Sequence, residues 1–323
     1  MNLNLFIKHF NSIYFISTLA IWSLVIFSCS TKTTNKVVTL NNRWGEVFTD
    51  TIPMTEASVL LGEKLFFDKN LSSNKQVSCA SCHHPEKAFT DGRKFSIGAH
   101  GNQTMRNSPT LLNIGFHPYF MLDGGVKTLE MQLLVPLLDS NEMDNNLKLL
   151  IPALASNKTY DSLARVAFDR PFDVFALTRS LAHFQRTLLS QNSKFDNWYF
   201  DNETDAITNE AIKGWKIFDE LLNCTSCHQL PAFTDYSFQR SPIAVPTNDP
   251  GRFRISRDSN DLHKFKVPTL RNITLTAPYF HAGQIENLDS LLIRYLDFYN
   301  IKEINIQLEK LQKLKAFFET LED

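Results

Sequence analysis

The chain is poor in cysteine: five in 323 residues, an odd number that a purely intramolecular disulfide framework does not account for. It lacks net charge of either sign, with 33 Lys plus Arg against 34 Asp plus Glu, so there is no global basic field to hold nucleic acid. It has one long apolar run, Ile13 to Phe27, and nothing after it is long enough to cross a bilayer. Strand-like alternation is scarce throughout. No methionine follows Met143. What is present is ordinary globular material: 43% hydrophobic and 21% charged residues exclude a disordered chain. The length corresponds to about two domains.

Lys8 and His9 precede the apolar run, which exits through Ser28 into Cys29. A basic start, a short apolar core and small residues near the exit read as a secretory signal. A cysteine directly after the exit is the bacterial lipoprotein pattern. Residues 1–28 are therefore expected to be a signal, with Cys29 as the lipidated first residue and a membrane anchor. A transmembrane anchor is the alternative, but the run is short against the roughly 20 residues a span needs. Residues 29–48, polar and Thr-rich at first, read as a tether.

The other four cysteines stand in Cys79-Ala80-Ser81-Cys82-His83 and Cys224-Thr225-Ser226-Cys227-His228. C-x-x-C-H is the attachment signature of c-type haem. Two thiols at this spacing add to the two vinyl groups on one porphyrin edge, and the next histidine ligates iron from the proximal side. A thioredoxin-like pair does not need the trailing histidine. A zinc site would have to join pairs 145 residues apart. Haem attachment outside the cytoplasm agrees with a secretory signal.

The two motifs have matching surroundings. Gly62-Glu63-Lys64-Leu65-Phe66 precedes the first and Gly214-Trp215-Lys216-Ile217-Phe218 the second. Ala88-Phe89-Thr90-Asp91 follows the first, as Ala232-Phe233-Thr234-Asp235 follows the second. Pro109-Thr110-Leu111 and Pro118-Tyr119-Phe120 are echoed by Pro268-Thr269-Leu270 and Pro278-Tyr279-Phe280. Matched features in one order mean two copies of one unit. The expected fold is all-α: two cytochrome c-like domains, residues 49–200 and 201–323, each with one covalently bound c-type haem and long connecting loops. Asp173 is expected to cap a helix running to about Ser190. Leu308, Leu311, Leu314, Phe318 and Leu321 mark a terminal amphipathic helix.

The sixth iron ligand separates electron transfer from peroxide chemistry. The second half offers no methionine, which disfavours a simple pair of Met/His carriers. Outside the motifs stand His84, His100, His117, His183, His263 and His281. His84 reads as a solvated loop residue and His183 as structural.

These residues resemble the bacterial dihaem cytochrome c peroxidases and the related MauG-like maturation enzymes over about residues 50 to 300. The resemblance rests on both C-x-x-C-H motifs, on Arg106-Asn107-Ser108-Pro109-Thr110-Leu111, and on Phe120-Met121-Leu122-Asp123-Gly124-Gly125 leading to Gln132, Pro136 and Glu142-Met143. Val267-Pro268-Thr269-Leu270-Arg271-Asn272 and Pro278-Tyr279-Phe280-His281-Ala282-Gly283 extend it. It implies that the N-terminal haem, on His83, binds peroxide, with Glu142 as the acid/base and Gln132 beside it. It also implies a calcium ion held by Asn107 and the carbonyls of Thr276 and Pro278. The bland alternatives are a surface carboxylate for Glu142 and a loop-stabilising Asn107.

Three positions depart from the peroxidase pattern. The distal histidine of the enzymes that need reductive activation is matched by Ala99, with His100 beside it; an open N-terminal iron follows unless the loop shifts by one residue. The methionine ligand of the C-terminal haem is matched by Tyr295, as in the maturation enzymes, with helix packing as the alternative. The bridging tryptophan between the haems is matched by Leu122, leaving Trp198 or Trp215 as substitutes. The expected function is a lipid-anchored periplasmic peroxidase that reduces hydrogen peroxide to water. Its electrons would come from a small cytochrome c, a cupredoxin or a quinol-linked donor. The alternatives are a haem oxidant of partner-protein residues and a non-catalytic dihaem carrier. A homodimer follows only by analogy.

Overall fold

The computed structural model describes residues 36–40, 42–45, 52–243, 245 and 247–323. The expected signal and Cys29 lie outside the described residues. Eleven α-helices form among these residues, besides short 3-10 turns and a π-helical extension of the eighth: α1 (Glu56–Phe66), α2 (Leu129–Gln132), α3 (Leu134–Leu138), α4 (Leu147–Ala155), α5 (Lys158–Phe168), α6 (Val174–Arg186), α7 (Lys194–Tyr199), α8 (Asn209–Lys216), α9 (Phe253–Ser256), α10 (Leu288–Phe298) and α11 (Ile304–Glu319). The strands among them are a two-residue antiparallel pair, β1 (Phe238–Gln239) with β2 (Phe265–Lys266). No helix among the described residues is long and apolar enough to cross a membrane.

The helices begin where a side-chain oxygen can take a backbone N–H that has no partner within the helix. Thr55 caps α1, Asp173 caps α6, Thr208 caps α8 and Asn287 caps α10. The α6 helix stops at Arg186, four residues short of the expected end. The Ser190 N–H donates instead to Asn113 Oδ1 at 2.9 Å.

Two helix pairs build two hydrophobic clusters. In the first, α1 crosses α6, and Leu61, Leu65, Phe66, Leu177 and Leu181 are buried. In the second, α8 crosses α11, and Trp215, Phe218, Leu314, Phe317 and Phe318 are buried. Each crossing passes over a glycine. A Cβ on Gly62 would lie 1.9 Å from the Ser180 carbonyl oxygen, and one on Gly214 would lie 2.0 Å from that of Lys313. The backbones touch there, so no side chain fits.

The duplication extends to hydrogen bonds. The Asn113 N–H donates to Leu188 O and its Oδ1 accepts from Ser190, while the Asn272 N–H donates to Leu321 O and its Oδ1 accepts from Asp323. Thr110 Oγ1 donates to Ala88 O and Thr269 Oγ1 to Ala232 O, both at 2.6 Å. Phe195 of α7, just ahead of residue 200, packs in the second cluster. Part of the segment expected as a tether is bonded to the body. Val38 N–H donates to Met54 O, and Arg43 N–H donates to Gln191 Oε1 at 3.0 Å.

Candidate active site

Each haem motif folds as a tight turn, Cys79–Ser81 in the first and Cys224–Ser226 in the second. The turn returns the His83 N–H to Cys79 O at 3.0 Å and the His228 N–H to Cys224 O at 2.9 Å. The imidazoles are held alike. His83 Nδ1 lies 2.8 Å from Phe89 O, and His228 Nδ1 lies 3.0 Å from Phe233 O. Burial lowers both imidazole pKa values and keeps the rings neutral. A neutral ring with Nδ1–H on a carbonyl leaves Nε2 as the metal-binding atom.

All four thiols are free of disulfides. Burial pushes Cys79 up to about 12, Cys82 to about 11 and Cys224 to about 12. Two unpaired thiols on one turn, followed by an imidazole with Nε2 to spare, are a donor set that fits c-type haem. Among the described residues no group of three or more His, Cys, Asp or Glu converges as a metal site.

Glu142 is brought to the first motif. Its charge acts on both Cys79 and Cys82. Burial, with a further push from Asp139, raises its carboxyl to about 7. The Ala99 N–H donates to Glu142 O at 2.6 Å, so the residue matched to a distal histidine is a buried alanine beside Glu142. His100 is taken elsewhere: Nε2 is 2.8 Å from Asp144 Oδ2 and 3.2 Å from Ser73 Oγ, with half its side chain exposed. Gln132 ends α2, half-buried, with Nε2 4.0 Å from Met121 Sδ. Among the described residues no hydrogen bond joins Gln132 to Glu142.

At the second motif, Tyr295 of α10 is half-buried, with its hydroxyl 3.2 Å from Ser241 Oγ. Burial raises its pKa, and Cys224 and Cys227 are close enough to add to the shift. It also packs against the second cluster. Trp215 stacks on Phe218 and Trp198 packs on Phe195, both within that same cluster. His183 is buried with Nδ1 on Ser58 Oγ at 2.8 Å, a structural role as expected.

Two of the expected calcium ligands, Asn107 and Pro278, border the Arg93–Lys94 and His281–Gly283 segments. Asn107 donates its backbone N–H to His281 O at 2.8 Å and its side-chain NH2 to Arg93 O at 2.6 Å. Its amide oxygen is the end available to a cation. A Cβ on Gly283 would meet Lys94 Cα and the Pro278 ring, so Pro278 borders the same place. An amide oxygen and the carbonyls of Thr276 and Pro278 are a donor set that suits a hard cation.

Several ion pairs join residues far apart in the chain, and Asp196, Asp249 and Arg254 stand in no quoted motif. Asp123, fully buried, accepts from Arg106 Nη1 at 2.8 Å and Arg254 Nη2 at 2.7 Å. Arg106 also grips Asp249 at 2.7 and 2.9 Å. Burial works against the Asp123 charge, but Arg254 and Arg106 outweigh it and hold the carboxyl below its usual range. Arg271 and Asp196, both fully buried, form a two-point ion pair at 2.6 and 2.7 Å. Lys266 is also buried. Its Nζ donates to Tyr119 O at 2.7 Å and to His117 Nδ1 at 2.9 Å, and burial lowers its pKa to about 7.

The family model for di-haem cytochrome c peroxidase matches residues 56–204. The methylamine utilization protein MauG of Methylophilus methylotrophus is 35% identical over 272 residues, 83% of this chain and 78% of that protein. The cytochrome c551 peroxidase of Nitrosomonas europaea is 32% identical over 266 residues, 81% of this chain and 78% of that one. Among solved structures, a MauG-like protein associated with microbial copper homeostasis superposes with a TM-score of 0.80 at 28% identity. That match covers 89% of this chain and 96% of the other. The chain belongs to the di-haem cytochrome c peroxidase family of oxidoreductases, whose members here carry both peroxidase and MauG names.

Proposed function

We propose that this chain is a lipid-anchored periplasmic peroxidase that reduces hydrogen peroxide to water with electrons from a small cytochrome c or cupredoxin. The observation that carries this reading is Glu142: a half-buried carboxyl near neutrality, within electrostatic reach of the Cys79–Cys82 turn. Haems on Cys79/Cys82/His83 and Cys224/Cys227/His228 would supply the iron and the two electrons. The overall balance is H2O2 with two protons and two electrons giving two waters. Glu142 accepts the proton of one peroxide oxygen and delivers it to the other, which leaves as water. A carboxyl poised near pH 7 performs both transfers. Gln132 offers an amide to orient peroxide. The Phe89 carbonyl fixes the His83 tautomer. Tyr295 is the expected second ligand at the C-terminal haem, and Asn107, Thr276 and Pro278 the expected calcium ligands.

The test is Glu142→Gln, which keeps shape and removes proton transfer. Peroxide turnover with a reduced cytochrome donor is expected to fall by about 10²–10⁴-fold. Unimpaired turnover removes Glu142 from the mechanism.

A second reading, oxidation of residues in a partner protein, is favoured by the surface position of His100 and by Tyr295 beside the second cysteine pair. Negligible peroxide loss with every reduced donor tried, together with oxidation of a protein acceptor, would replace the first reading by this one.

A further inference from the structure

The resemblance matches Leu122 to the bridging tryptophan of the peroxidases, and Leu122 carries no ring. Its backbone is nonetheless at the seam, because the Lys266 N–H donates to Leu122 O at 2.7 Å. Trp198 and Trp215, the other candidate rings, both pack in the second cluster. Two ring contacts at this seam join the segment after Asn113 to strand β1 and the residues before it. Tyr119 and Phe238 are 6.2 Å apart, centroid to centroid, whereas His117 and Tyr236 are 4.9 Å apart.

The closer pair is tied to both sites. On the C-terminal side, Tyr236 directly follows Asp235, whose N–H donates to Cys227 O at 2.9 Å. On the N-terminal side, His117 lies four residues before Met121, whose Sδ is 4.0 Å from Gln132 Nε2. The histidine ring is not loose. Lys266 Nζ reaches across the seam and donates to its Nδ1 at 2.9 Å and to Tyr119 O at 2.7 Å. Burial, with the nearby Lys266 charge, keeps that imidazole neutral and able to accept.

We propose that the His117–Tyr236 ring contact, held in register by Lys266, carries electrons between the two haem sites in place of an aromatic residue at Leu122. The inference rests on the reading that Cys79/Cys82/His83 and Cys224/Cys227/His228 each hold a haem. The step moves one electron and nothing else. The iron at His228 is oxidised by one unit, the iron at His83 is reduced by one unit, and no bond or proton changes place. A one-electron chemical reductant supplies the electron first. The rings act as a packed conduit, so the aromatic face of Tyr236 matters and its hydroxyl does not.

The experiment uses the full-length holoprotein without peroxide. One electron is delivered to the fully oxidised protein by pulse radiolysis, and its passage between haems is followed optically. Midpoint potentials and absorption spectra are recorded for every variant. With potentials unchanged, Tyr236→Leu is expected to slow the transfer at least tenfold and Tyr236→Phe to stay within twofold of wild type. His117→Leu repeats the test from the other side of the contact should Tyr236→Leu fail to fold. A wild-type rate in Tyr236→Leu or His117→Leu would overturn the proposal. So would a Tyr236→Phe variant as slow as Tyr236→Leu, because the hydroxyl would then be the carrier. Peroxide plays no part in this measurement, so loss of the peroxidase reading would leave its result standing. Holoprotein without two covalent haems would remove the shared premise instead.

Discussion

The backbone N–H of Ala99 donates to the carbonyl oxygen of Glu142 across 2.6 Å. This bond ties the backbone of the residue matched to a distal histidine to the backbone of Glu142. It also turns the next residue, His100, outward to Asp144.

His100→Ala is therefore expected to leave the resting optical and EPR spectra of the holoprotein unchanged. The N-terminal iron should be high-spin before any reduction. A low-spin signal that disappears in the variant would show that His100 reaches the iron.

Glu142 also has a pH signature. Its folded pKa, about 7, lies above the ordinary value of 4.5. The ionised form accepts the peroxide proton, so kcat/KM for peroxide should rise with pH through about 7, and Glu142→Gln should lose that limb. Stability runs the other way. A raised carboxyl pKa means that folding favours the proton, so its contribution is full below about 4.5 and is lost as pH rises through about 7. Glu142→Gln should be more stable than wild type at pH 8, by roughly 1–3 kcal/mol in chemical denaturation.

Arg271 and Asp196 are fully buried together. Arg271→Leu strands a buried carboxylate and should cost about 3–5 kcal/mol. The double change with Asp196→Leu should cost less than the single one. Burial opposes the Asp196 charge, but Arg271 outweighs it and lowers the pKa. The stabilisation is present above the ordinary value of 3.8 and is lost as pH falls through the lower folded value. Thermal melts of both variants between pH 2 and 7 would test this.

Tyr295→Phe removes the expected oxygen ligand while keeping the packing. The midpoint potential of the C-terminal haem should rise by on the order of 100 mV, since axial ligands tune haem potentials over a wide range. Spectroelectrochemistry that finds the same potential would assign Tyr295 to the core alone.

Gly62→Ala and Gly214→Ala press a Cβ onto a carbonyl oxygen in equivalent crossings. Both should be destabilised by about 3 kcal/mol or more, and by similar amounts.

The repeat, the helical class and the haem motifs were legible because each is carried by local spacing. Gly62 and Gly214 marked the same turn of two helices before any contact was known. Glu142 was legible only through its spacing from Gln132 and Pro136 in a family pattern. Its burial beside Cys79 depends on loops that no periodicity describes. Asp196, Lys266 and Asp249 were opaque for a related reason. An ion pair between residues 75 positions apart leaves no trace in either neighbourhood. The α6 end was overestimated because the apolar pattern continues through Leu188, while Asn113 draws off the Ser190 amide.

Ser190 serves both repeats. It takes the Asn113 side-chain amide on its carbonyl at 2.9 Å and the Asn272 side-chain amide on its hydroxyl at 2.8 Å. Cutting the chain near this residue would leave one fragment without one of these two bonds, a loss of about 0.5–1.5 kcal/mol for each hydrogen bond. A single hydroxyl thus couples the two copies of the unit, and a change at position 190 is felt by both.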